Sequence, residues 1–146
     1  MSIAESVQNA IKEAMKSKDH VRLECLRMVK GALLLKGKET GSDVSDPEAV
    51  VVLRSEVRKR QQSLDIFREH GKTDEAAATE NEITIIEGFL PKQLSADDLE
   101  ARVRAYYAEH PELNHAGKLT GALKKELGDL ADGKMLNDVC RKVVEG

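Results

Sequence analysis

Few side chains in this sequence stand at spacings that chemistry requires. Glu112-Leu-Asn-His115 sets a carboxylate and an imidazole three residues apart, the spacing by which helical bundles hold metal ions. Such a site needs a second pair on a facing helix, and this pair adjoins Pro111 in a predicted loop, so no metal is expected. Gly31 to Gly37-Lys38 has the outline of a phosphate loop, but five residues part the glycines where that loop has four, and Glu39 replaces its hydroxyl. Cys25 and Cys140 lack partners at metal-ligand spacing and belong to no nucleophile motif, so they read as small buried hydrophobes. His20, His70 and His110 fall near predicted helix ends, where an imidazole caps or is solvated. Glu80, Glu82, Glu87, Asp97, Asp98 and Glu100 lie on helix faces or first turns rather than in a cleft that would perturb them. No catalytic residue and no cofactor is assigned.

Basic residues offer binding chemistry instead. Arg54, Arg58, Lys59 and Arg60 form the densest run, but at 100° per residue only Arg54 and Arg58 share a face, with Gln61 and Asp65. They read as exposed charges whose aliphatic stems cover the core. The stretch from Gly117 is more specific. Leu119, Leu123 and Leu127 share one side of a helix, while Gly121, Lys124 and Gly128 fall within about 40° of Gly117, nearly opposite those leucines. Lys118 and Lys125 flank this face. Glycine inside a helix costs about 1 kcal/mol relative to alanine, so a bare face turned from the core points to a close approach. A second helix could pack there, which the acidic net charge favours, or lysines and backbone amides could meet a nucleic-acid backbone. On the last helix Lys134, Asp138, Arg141 and Glu145 form an internally neutralised ladder.

The elements that position these residues are legible from their punctuation. The chain has 146 residues, 34% of them charged, a formal charge of −3 and only Phe67, Phe89, Tyr106 and Tyr107 as aromatics, the profile of an all-α fold. Ser2-Ile-Ala-Glu5 is a capping box opening a first helix that buries Ile3, Val7, Ala10, Ile11, Ala14 and Met15. Asp19 caps a second helix ending around Gly37 to Gly41, and Asp46 with Pro47 and Glu48 opens a third running to about His70. Val50, Leu53, Val57, Leu64 and Phe67 give that helix a heptad, which Arg60 and Gln61 interrupt. Thr73 is expected to cap a fourth helix, Ser95 a fifth, Asn114 a sixth and Asp132 a seventh. Leu94 and Leu99 can staple the start of the fifth. The expected architecture is a four-helix domain of long antiparallel helices over residues 1–91 and a small three-helix domain over 92–146. No apolar run approaches the roughly 18 residues of a membrane span, and a cytoplasmic protein is expected.

Glu56-Val-Arg-Lys-Arg60, the run from Glu82 through Glu87-Gly-Phe-Leu90-Pro91 to Ser95, and Gly117-Lys-Leu-Thr-Gly121 with Ala131-Asp132-Gly133-Lys134 resemble the YqeY family over essentially the whole chain. The second half is similar to the carboxyl-terminal tail domain of the GatB component of the tRNA-dependent aspartyl/glutamyl amidotransferase. That resemblance implies a tRNA-contacting surface at Gly117, Lys118, Gly121, Lys124, Lys125, Asp132, Gly133 and Lys134, with Arg141 and Lys142 beside it. It implies a tRNA, the amidotransferase or another translation-associated protein as partner. It also implies the label of carbon-nitrogen ligase with glutamine as amido donor, for which no residue here supplies the chemistry. A helical protein interaction module without RNA binding or catalysis is the alternative, and the residues leave the oligomeric state open.

Overall fold

A computed structural model describes all residues, Met1–Gly146, as seven α-helices with no strand. Their contacts group them into two compact units, Met1–Leu90 and Pro91–Gly146. No helix is long and apolar enough to cross a membrane.

The first unit holds α1 (Ile3–Ser17), α2 (His20–Thr40), α3 (Asp46–Glu69) and α4 (Thr73–Glu87). Ser2 caps α1 by accepting the Glu5 N–H at 3.1 Å, and Asp19 caps α2 by accepting that of Arg22 at 3.2 Å. Each satisfies a donor that the helix itself leaves orphaned. Val7, Ile11, Leu26, Val29, Leu33, Leu53 and Ile86 form the main core, and Leu64, Ala76 and Ile83 a smaller cluster. Met15, expected inside, is exposed because it sits about 90° around α1 from the centre of the buried stripe.

Three caps lie one residue from their expected places, two of them in this unit. Ser45, not Asp46, caps α3: its hydroxyl accepts the Glu48 N–H while the Glu48 carboxylate accepts the Ser45 N–H at 3.0 Å. The Ser45 N–H, and after it the Ser45 hydroxyl, which also donates to that carboxylate at 2.9 Å, hold the Glu48 carboxyl below its usual pKa. Asp46 is thereby freed to accept the Ile3 N–H at 2.9 Å, tying the starts of α1 and α3 together. Lys72 rather than Thr73 precedes α4, with no side chain capping it.

The heptad on α3 is not interrupted at Arg60. Leu53, Val57, Arg60, Leu64 and Phe67 are spaced four, three, four and three, and Arg60 is 8% exposed. A guanidinium can occupy a core position only with its donors satisfied. Nε donates to the Glu82 carboxylate of α4 at 3.2 Å, and Nη1 donates to the Glu56 carbonyl at 3.1 Å and carboxylate at 3.3 Å.

The second unit holds α5 (Ala96–Glu109), α6 (Ala116–Leu127), a 3-10 turn (Gly128–Leu130) and α7 (Gly133–Glu145). Ser95 caps α5 and Asp132 caps α7, accepting from Asp98 and Met135 N–H groups. Leu99, Val103, Leu119, Leu123, Leu136, Cys140 and Val143 make an apolar core, with Leu94 packed against it as a staple expects. Leu94 N–H also donates to the Leu130 carbonyl at 2.8 Å, and the Gln93 amide donates to the Asp129 carbonyl at 3.0 Å.

Candidate nucleic-acid contact surface

The outer side of α6 and the start of α7 form the candidate surface. Leu119, Leu123 and Leu127 turn inward and are almost fully buried, which leaves Gly117, Lys118, Gly121, Lys124 and Lys125 exposed. The glycines owe their places to different causes. A Cβ on Gly117 would stand 3.2 Å from Nδ1 and 3.3 Å from Cε1 of His115, so a side chain there crowds the imidazole. That ring caps α6, with Nδ1 accepting the Gly117 N–H at 3.1 Å. Asn114, the expected cap, is displaced by the ring one residue later. The same contact gives the histidine of Glu112-Leu-Asn-His115 a structural role, and no cluster of metal-ligating side chains is present.

Gly128 has left the helix: its φ of +55° is strained for any residue with a side chain, so it ends α6 and does not extend the bare face. Within the helix only Gly121 is both exposed and open, with nothing within 4 Å of a Cβ placed on it. No packing inside the protein accounts for its missing side chain.

Lys124 joins the two elements. Its Cε lies 3.7 Å and its Nζ 3.9 Å from where a Cβ on Gly133 would be, so the side chain runs across the start of α7. Asp132 and Lys134 flank that point, both exposed. The Asp132 carboxylate is engaged with the Met135 N–H at 3.0 Å, so it serves the helix end. Lys142 and Arg141 are exposed on α7, but the Lys142 ammonium is turned to Glu100 of α5 at 2.6 Å. Arg104 also donates to Glu100, and the two cations hold that carboxyl below its usual pKa, Lys142 most strongly.

The second basic run disperses. Arg60 is buried, Lys59 is exposed with its ammonium 3.2 Å from Glu56, Arg58 is exposed and Arg54 is half-buried. Arg60, expected among exposed charges, belongs to the core because Glu56 and Glu82 converge on it.

Both cysteines are free and buried. Burial pushes the Cys25 thiol up, helped by the nearby Glu82 charge, and burial pushes the Cys140 thiol up against a hydrogen bond from Thr120. Neither is arranged as a nucleophile, which needs the opposite shift.

The family model described as Yqey-like protein matches residues 4–144. The chain belongs to the Yqey-like protein family. No curated protein matches it. In this member of the family, the glycine and lysine surface thus reduces to Gly121 with Lys118, Lys124, Lys125, Gly133 and Lys134.

Proposed function

We propose that the chain binds folded RNA, a tRNA, through the exposed side of α6 and the start of α7, as a cytoplasmic accessory of translation. The observation that carries this reading is Gly121: an open stretch of helix backbone with Lys118, Lys124 and Lys125 around it. A phosphate chain can approach such a backbone closely while the ammonium groups neutralise it. Recognition is by shape and phosphate, because the four aromatic residues provide no platform for stacked bases.

The resemblance of the second half to the tRNA-contacting tail of the amidotransferase supports the same reading and makes that enzyme a partner to test. On this reading the two units act as separate domains, 1–91 and 92–146, the first carrying the second. The role is binding rather than amidotransfer, since the sequence carries no nucleophile motif for that chemistry.

Titration of the protein into labelled deacylated tRNA, followed by fluorescence anisotropy at increasing salt, tests it. Three or four phosphate contacts give a slope of roughly −3 in log affinity against log salt. Replacing Lys124 and Lys125 together by glutamate abolishes binding; unchanged affinity in that variant overturns the reading. The same open backbone at Gly121 would also admit a partner helix. In that case Gly121→Leu blocks a protein contact while the lysine changes are nearly silent.

A further inference from the structure

Helix α2 carries apolar residues on two sides. Leu23, Leu26, Val29 and Leu33 face the core, yet Val21, Met28, Leu34 and Leu35 are each more than half exposed. A surface helix normally keeps its large apolar side chains to the stripe that faces the core. The line running up the centre of the outer side reads Glu24, Gly31, Lys38. These residues are seven apart, lie within about 40° of one another and stand nearly opposite the buried stripe. Met28 and Leu35 border that line on one side, Arg27 and Leu34 on the other. Nothing lies within 4 Å of a Cβ placed on Gly31, so the protein's own packing does not require glycine there.

This pattern is its own complement when reversed. With two copies of α2 antiparallel about a two-fold axis at Gly31, the glycines oppose each other and the backbones approach closely. Glu24 of each copy then meets Lys38 of the other, about 10 Å to either side of the axis. At the shallow crossing angle of antiparallel bundles the charges stay within side-chain reach. Met28, Leu34 and Leu35 of both copies fill the remaining space, with the aliphatic stem of each Arg27 lying along Leu35 of the other copy and its charged head at the solvent edge. A parallel pair would instead set Glu24 against Glu24 and Lys38 against Lys38. We propose that the outer face of α2 is a self-association surface, joining two copies of the chain as an antiparallel, two-fold symmetric helix pair centred on Gly31. The contact is isologous and therefore closes at a dimer.

Sedimentation velocity of the full chain over a wide concentration range tests this, with variants that leave the monomer intact. Wild type is expected to shift from monomer to dimer as concentration rises. Gly31→Leu abolishes the dimer, and since leucine is the better helix residue and meets no neighbour in the monomer, its melting temperature does not fall. Glu24→Lys and Lys38→Glu each weaken the dimer by about tenfold or more, having set like charges together. Combining the two reversals restores it. Gly31→Cys yields a disulfide-linked dimer in air, since the axis places the two Cα atoms within bonding distance. A chain that stays monomeric at every concentration leaves this face to another protein and overturns the proposal. A dimer indifferent to Gly31→Leu, or not rescued by the double reversal, overturns it as well.

Discussion

The two units place charge and apolar surface in opposite ways. In Met1–Leu90 a guanidinium, Arg60, occupies a core position, while α2 turns Val21, Met28, Leu34 and Leu35 outward. In Pro91–Gly146 the core contains no charged side chain and the cations of α6 are all outside. Each unit also exposes one helical glycine with open space above it, Gly31 among apolar neighbours and Gly121 among lysines. An open backbone says only that something can come near. The residues around it set the chemistry of what comes: on the two proposals above, an apolar helix in one case and a phosphate chain in the other.

The largest expected effect tests the difference between the cores. Arg60→Ala leaves Glu56 and Glu82 without their shared cation, at a cost of about 2–3 kcal/mol, the range for broken buried pairs reduced because Glu82 is one-third exposed. Each unit contains one buried cysteine, so thiol labelling under native conditions reports each separately. Labelling of Cys25 should accelerate by around a hundredfold in Arg60→Ala, and that of Cys140 should not change. Equal acceleration at both thiols would show that the units open together and would end their treatment as separate domains.

A smaller effect separates the glycines of α6. Gly121→Ala should stabilise the second unit by up to about 1 kcal/mol in urea denaturation, since its Cβ meets nothing. Gly117→Ala should give no such gain, because its Cβ presses on the His115 ring. Should both substitutions stabilise equally, the histidine contact does not explain Gly117. If Gly121→Ala also weakens RNA binding, the site of closest approach is located.

The smallest effect concerns surface charge. Glu100 has its pKa lowered in the folded state by Lys142 and Arg104, so it contributes stability above its unfolded value and loses that contribution as pH falls through the folded value. Lys142→Ala should therefore lower the melting temperature slightly at neutral pH. The difference from wild type should shrink as pH falls below the ordinary carboxylate range and vanish only below the lowered folded value, where Glu100 is protonated in the folded and unfolded states alike. A difference that persists at low pH would mean that the lysine acts through its aliphatic stem.

Much of the helical framework was legible because its signals are local. Ser2, Asp19, Ser95 and Asp132 cap the helices they precede in sequence, and Leu119, Leu123 and Leu127 face the core as their spacing requires. The caps at Ser45 and His115 were misplaced by one residue because each has a competent capping neighbour, Asp46 or Asn114, and the choice depended on partners. Asp46 was taken by Ile3, forty-three residues away, and His115 closed its ring over an adjacent glycine. Of the surface on α6 and α7, the lysines and Gly121 were readable by angle, but the crossing of Lys124 over Gly133 was not.

By itself the sequence determined, to within a residue, where helices start and stop, and it determined the apolar positions of each, since capping and 3.6-residue periodicity act within a few residues. Only the tertiary structure decided which of two apolar sides of α2 is covered, because neighbouring helices do the covering. It likewise decided that Arg60 lies inside rather than out. A buried cation is tolerable only where acceptors converge, and one of them, Glu82, arrives from a helix twenty-two residues further along the chain.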